Sequence, residues 1–149
     1  MKASEFMTST VVSCNQNQTV EEAATLMAEN NVSVLPIIDD NEKLVGIITE
    51  SDFVSKVQNI PHALVSLKQL FGQSFNHKDV EDVYKQSKSK KLKDIMTKNP
   101  KTVSASSTLD DVVDFMSAKD LKRVPVLDGE KLVGIITRKN LIKAFTQLK

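Results

Sequence analysis

Thr49, Ser51 and Asp52 close the run Gly46-Ile47-Ile48-Thr49-Glu50-Ser51-Asp52, in which an apolar, strand-like segment passes directly into a helix start. Free backbone N–H groups and the positive end of the helix dipole make such a junction attractive to phosphate. The hydroxyls of Thr49 and Ser51 add donors for phosphate oxygens, and the Asp52 carboxylate can accept hydrogen bonds from both hydroxyls of a ribose. The same Thr-x-x-Asp spacing also suits a helix cap, with Thr49 as the cap and Asp52 favouring the dipole. For Thr49 the two roles are compatible. A second copy reads Thr137-Arg138-Lys139-Asn140 and follows Gly134-Ile135-Ile136. Asn140 stands where the first copy has its carboxylate, so a sugar contact there lacks charge assistance. Arg138 and Lys139 bring cationic donors to the phosphate end; their plainer reading is two solvated residues at a helix start.

Other chemistries find little support. The chain shows no nucleophile–base arrangement, no P-loop and no glycine-rich dinucleotide fingerprint, and it has only four glycines. His62, His77 and Cys14 lack the spacing of zinc ligands. Lys85, Lys88, Lys90, Lys91 and Lys93 read as a solvated linker, since the formal net charge is only +1. Six Phe, one Tyr and no Trp argue against serial base stacking on a nucleic acid. No apolar run approaches the roughly 18 residues of a membrane span. The N-terminus carries no hydrophobic signal segment. A single cysteine cannot form an internal disulfide, which fits a cytoplasmic location. These features point away from an enzyme, a membrane and a nucleic-acid partner.

The elements that must position the two motifs are themselves duplicated. Glu42-Lys43-Leu44-Val45-Gly46-Ile47-Ile48-Thr49 recurs unchanged as Glu130-Lys131-Leu132-Val133-Gly134-Ile135-Ile136-Thr137. Around it, Met7-Thr8 corresponds to Met96-Thr97, Thr19 to Thr108, Met27 to Met116 and Pro36 to Pro125. Thr19-Val20-Glu21-Glu22 and Thr108-Leu109-Asp110-Asp111 are hydroxyl-capped helix starts. Val20, Ala23, Ala24 and Met27, and Leu109, Val112, Val113 and Met116, then fall on one helical face. A short apolar strand follows (Val32 to Ile38, Val124 to Leu127), whose proline predicts an edge or a strand end. The next strand, Leu44–Thr49 or Leu132–Thr137, is apolar enough to predict burial on both faces. A second helix starts near Ser51 and near Lys139. One such β-α-β-β-α unit buries too little surface to stand alone. The expected fold is therefore α/β, with two repeats packed pseudo-twofold around a shared core. A stretch from about Gln58 to Lys93 matches neither copy. In it, Ala63–Phe75 is amphipathic through Leu64, Leu67, Leu70 and Phe71, and Asp79–Tyr84 starts another helix.

This order of Met-Thr, hydroxyl-capped helix, apolar-Pro strand and Gly-Ile-Ile-Thr-x-x-Asp, present twice in register, resembles the CBS domain family as a tandem pair. The resemblance implies repeats over residues 5–57 and 93–147, with a helical insert and linker over 58–92. It implies a regulatory sensor module binding AMP, ADP, ATP, NAD or S-adenosylmethionine between the repeats, pairing into a homodimer and signalling to a regulated protein. It matches Asp52 to the ribose-binding carboxylate. By family position, Val12-Ser13-Cys14 and Val34-Leu35-Pro36 line the adenine slot of the first cleft, and Lys101-Thr102-Val103 and Arg123-Val124-Pro125 that of the second. The rival reading is a ligand-free dimerisation or protein-interaction module.

Overall fold

The computed structural model of this 149-residue chain describes residues 1–50, 85 and 87–148. In chain order its elements are α1 (Ala3–Phe6), β1 (Cys14–Asn15), α2 (Val20–Asn30), β2 (Val34–Ile38), β3 (Leu44–Thr49), a 3-10 turn (Leu92–Asp94), β4 (Thr97–Lys98), β5 (Val103–Ser104), α3 (Leu109–Ala118), β6 (Arg123–Asp128), β7 (Lys131–Thr137) and α4 (Arg138–Gln147). Ser51, Asp52, His62, His77, the helix expected near Ser51 and the insert helices over 63–75 and 79–84 lie outside the described residues.

The two long helices start where the hydroxyls predict. Thr19 Oγ1 accepts from the Glu22 N–H at 3.3 Å, and Thr108 Oγ1 from the Asp111 N–H at 3.1 Å. Val20, Ala23 and Met27 of α2, and Leu109, Val112 and Met116 of α3, are buried. Just past the helices, Asn31 and Asp120 take left-handed backbone (φ 51° and 50°), a conformation these two residue types tolerate.

Each repeat then forms an antiparallel hairpin, β2 with β3 and β6 with β7, flanked by a short parallel strand, β1 or β5. The strand orders are β1-β2-β3-β4 and β5-β6-β7. Pro36 and Pro125 lie inside β2 and β6, fully buried opposite Ile47 and Ile135. The expected edge is therefore local. β1 meets only Ile37 and Ile38, and β5 only Val126 and Leu127, so among the described residues one flank of each proline has no strand beside it. Burial of the following strand on both faces is only partly realised. Gly46 and Ile48 are buried in β3, whereas Leu44, Val45, Ile47 and Thr49 are half-buried.

The expected shared core resolves, among the described residues, into two clusters, each completed by chain from outside its own repeat. Ala3 and Phe6, which precede the first repeat's sheet, pack with Val103, Leu109, Val112, Val124, Val126 and Ile136 of the second. Leu92, which precedes the second repeat's sheet, packs with Cys14, Val20, Ala23, Leu35, Ile37 and Ile48 of the first. The backbone follows the same exchange. Thr8 bridges to Ile135 and Lys2 to Thr108, while β4 pairs with β3 and Lys91 bridges to Thr19. The recurring glycine reflects this crossing. A Cβ on Gly46 would lie 2.7 Å from Met96 Cγ, and one on Gly134 2.9 Å from Met7 Cγ. Each methionine thus lies over the other repeat's sheet, where only a glycine leaves room.

The lysine-rich stretch before the second repeat also departs from expectation. Its lysines are mostly exposed, but its backbone is docked. The carbonyls of Lys88 and Lys90 accept from the Glu21 and Val20 N–H groups at 3.0 and 2.9 Å, satisfying donors that α2 leaves open at its start. Ser87 is 5% exposed and Leu92 fully buried. At the hairpin tips, Lys43 meets Glu130 at 3.2 Å and Lys131 meets Glu42 at 4.0 Å. These reciprocal pairs are exposed and contribute little stability. No described helix is long and apolar enough to cross a membrane.

Candidate functional site

Two clefts open between the repeats, built from equivalent parts. The first, of about 480 Å³, has Asn99, Pro100 and Lys101 from the loop before β5, Asp120 to Arg123 leading into β6, and Pro125. Facing them from the other repeat are Ile47, Thr49 and Glu50 at the end of β3, with Thr97 of β4 between them. The second cleft, of about 390 Å³, repeats the scheme. Thr10 to Val12, Asn31 to Val34 and Pro36 come from the first repeat, and Ile135, Thr137 and Lys139 from the second, with Thr8 between them. The parts meet because the β3 and β7 ends project toward the opposite repeat's strand entry. The left-handed residues Asn31 and Asp120 turn the chain from helix to cleft wall.

This geometry corrects the expected grouping. The sequence reading placed Val34 and Pro36 in one slot with Thr49, and Arg123 and Pro125 in one slot with Thr137. The structure crosses most of them: Thr49 shares a cleft with Arg123 and Pro125, and Thr137 with Val34 and Pro36, while Arg123 also lines the cleft of Thr137, its partner across β6 and β7. Val12 and Lys101 line the second and first cleft respectively. Ser13 instead borders a separate hollow of about 200 Å³ with Ser9, Val11 and Leu132. Cys14 and Val103 occupy equivalent buried positions in the two cores. Thr102, Arg138 and Asn140 do not line either cleft. Thr8, Thr10, Val32, Asp120 and Lys122 line the clefts without having been anticipated. The repeat alignment alone carries their equivalence, and no residue type among them announces a ligand.

At the second strand end the capping alternative is realised. The Thr137 N–H donates to Asn140 Oδ1 at 2.8 Å and the Thr137 hydroxyl at 3.0 Å. Asn140 Nδ2 donates to the Phe6 carbonyl at 3.0 Å and to Thr8 Oγ1 at 3.1 Å. Asn140 thus ties the start of α4 to the crossing N-terminal segment. The first helical N–H is also engaged in each copy. Glu50 N–H donates to the Ser33 carbonyl at 2.9 Å and Arg138 N–H to the Lys122 carbonyl at 3.3 Å. An anion at these junctions must therefore rely on side-chain cations as well as on the backbone.

The two clefts differ in charge. The first is lined by Lys101, Lys122 and Arg123 and by two carboxylates, Glu50 and Asp120. Asp120 pairs with Arg138 at 3.5 Å. The second is lined by Arg123 and Lys139, with no carboxylate among its described lining residues. Cys14 is 1% exposed, and burial, reinforced by the Glu22 charge, pushes its thiol up to about 11. It is a core group rather than a reactive one.

The CBS domain family model matches residues 3–59 and 92–147. Among curated proteins, the chain is similar to "CBS domain-containing protein CBSX1, chloroplastic" of Arabidopsis thaliana, with 32% identity over 138 residues, covering 88% of this chain. The chain spans 57% of CBSX1 and 56% of its relative CBSX2. Among solved structures, that of CBSX2 in complex with AMP aligns with a TM-score of 0.73 at 29% identity, covering 98% of this chain and 96% of that one. The CBS domain pair of protein MJ0100 in complex with 5′-methylthioadenosine and S-adenosyl-L-methionine aligns with a TM-score of 0.69 at 26% identity, covering 100% and 97%.

Proposed function

We propose, from the premise that this chain belongs to the CBS domain family as a tandem pair, that it is a non-enzymatic regulatory module binding an adenosine-type ligand between its repeats. The observation that carries this reading is the pair of equivalent clefts, each setting a strand-end threonine of one repeat against the proline wall of the other. Beside the buried prolines, the half-buried Ile47, Pro100 and Leu121 of the first cleft and Val12 and Val32 of the second suit a purine, and the surrounding cations suit a phosphate. Complexes of CBSX2 with AMP and of MJ0100 with methylthioadenosine and S-adenosylmethionine support the ligand class.

In this reading Asp52, three residues beyond Thr49, holds the ribose of a ligand in the first cleft. Thr49 and Ser51 donate to its phosphate, and Lys101, Lys122 and Arg123 balance the charge. Thr137, Lys139 and Arg123 serve the second cleft. AMP, ADP, ATP and NAD all carry the required groups. The ligand acts by favouring one mutual angle of the repeats, which a partner protein reads. The module works in the cytoplasm as a homodimer; the exposed Ile142, Phe145 and Leu148 on and beside α4 supply an apolar face for a second copy.

Calorimetric titration with AMP, ADP, ATP, NAD and S-adenosylmethionine tests the proposal. At least one binds, and Asp52→Ala weakens it by roughly tenfold or more, as loss of a charge-assisted bond implies. Silence across the panel contradicts the proposal and favours a ligand-free interaction module. That rival has its own support, because Asn140 is consumed by structural bonds and an apolar helix face lies open.

A further inference from the structure

We propose that Arg123 is a cation shared by the two clefts, and that it makes their occupancy by phosphate-bearing ligands mutually antagonistic. The inference rests on the nucleotide-binding reading above and adds how the two sites affect one another. Arg123 opens β6 opposite Thr137 and lines both clefts. Its counterpart in the first repeat, Val34, lines the second cleft and carries no charge. Arg123 forms no ion pair with any described residue, so no carboxylate among them fixes its guanidinium on one side. A guanidinium binds phosphate best through two parallel N–H donors. It can present that fork to one cleft at a time.

The consequences for the two clefts are unequal. With Arg123 engaged in the first cleft, the second keeps Lys139 as its one described cation. With Arg123 engaged in the second, the first keeps Lys101 and Lys122. A nucleotide in either cleft therefore weakens binding of the same nucleotide at the other, relative to binding beside an empty neighbour. The expected factor is about tenfold, within the usual range of coupling between sites. A neutral nucleoside makes no claim on the guanidinium, so its two binding events are independent.

Titrations followed by amide signals that distinguish the clefts, Lys101 for the first and Val12 for the second, test this on the full chain. AMP and adenosine are added to the unaltered protein and to Ile47→Trp, in which a bulky side chain fills the first cleft. Blocking the first cleft is expected to tighten AMP at the second by about tenfold and to leave adenosine there unchanged. In the Arg123→Leu background the tightening disappears. Unchanged or weaker AMP binding at the second cleft on blocking the first overturns the inference, as does an equal gain for adenosine. Should Ile47→Trp lose its spectral dispersion, Asp52→Ala serves as the block. If neither AMP nor adenosine moves any signal, the nucleotide reading itself fails, a result distinct from failure of the coupling.

Discussion

The first and second repeats share backbone, caps and hairpins, yet they differ where chemistry is decided. Ser33, Val34 and Val12 of the first correspond to Lys122, Arg123 and Lys101 of the second, and Glu50 corresponds to Arg138. Because each cleft draws its wall from one repeat and its strand end from the other, these differences do not average out. Among the described lining residues they give one cleft three cations with two carboxylates, and the other two cations with none. Duplication has kept the scaffold and released the lining to diverge, so the two sites should not be treated as copies.

The cores offer the same comparison, and breaking it produces the largest effects. Leu92 fills the first core from outside, whereas its counterpart in the second is the smaller Ala3. Leu92→Ala is expected to cost about 2–5 kcal/mol, measured by urea denaturation. A cost below about 1 kcal/mol would mean that the crossing segment is not part of the first core.

Cys14 and Val103 differ in one respect only the thiol can show. The folded pKa of Cys14, about 11, lies above its ordinary 9.0, so the folded state holds the proton more tightly than the unfolded chain. The resulting stability is fully present below pH 9 and is lost as pH rises through 11. Two pKa units correspond to about 2–3 kcal/mol. Chemical denaturation between pH 8 and 11 should show this decline, and Cys14→Val, which copies the second repeat, should flatten it.

The glycine crossings come next. Gly46→Ala forces a methyl group against Met96 and is expected to cost about 1–3 kcal/mol. A double-mutant cycle with Met96→Ala should recover part of that cost, and strict additivity would deny the contact. The smallest effect is at the caps. Thr19→Ala and Thr108→Ala should each cost about 1 kcal/mol, and by similar amounts, since the two hydrogen bonds are equivalent.

Most of the scaffold was legible from residue patterns. Thr19 and Thr108 announced their helices, the apolar spacing of Val20 to Met27 gave the buried face, and the repeated octapeptide gave the hairpin strand. The crossing of segments was not legible, because Ala3, Phe6 and Leu92 look like ordinary apolar residues whichever repeat they enter. The same crossing separates Thr49 from Pro36 and sets it beside Pro125, which residue spacing within one repeat does not show. Asn140 reads from the sequence as a weakened sugar contact, yet its bonds to Phe6 and Thr8 depend on a segment more than a hundred residues away. Local spacing cannot report such a partner.

A crystal structure of the chain grown with AMP tests the central claim most directly. The account predicts a nucleotide whose base lies against Pro125 and the loop Asn99 to Lys101, with its ribose and phosphate toward Thr49 and Glu50. A nucleotide held within one repeat, between Thr49 and Pro36, or seated away from both clefts, would contradict it.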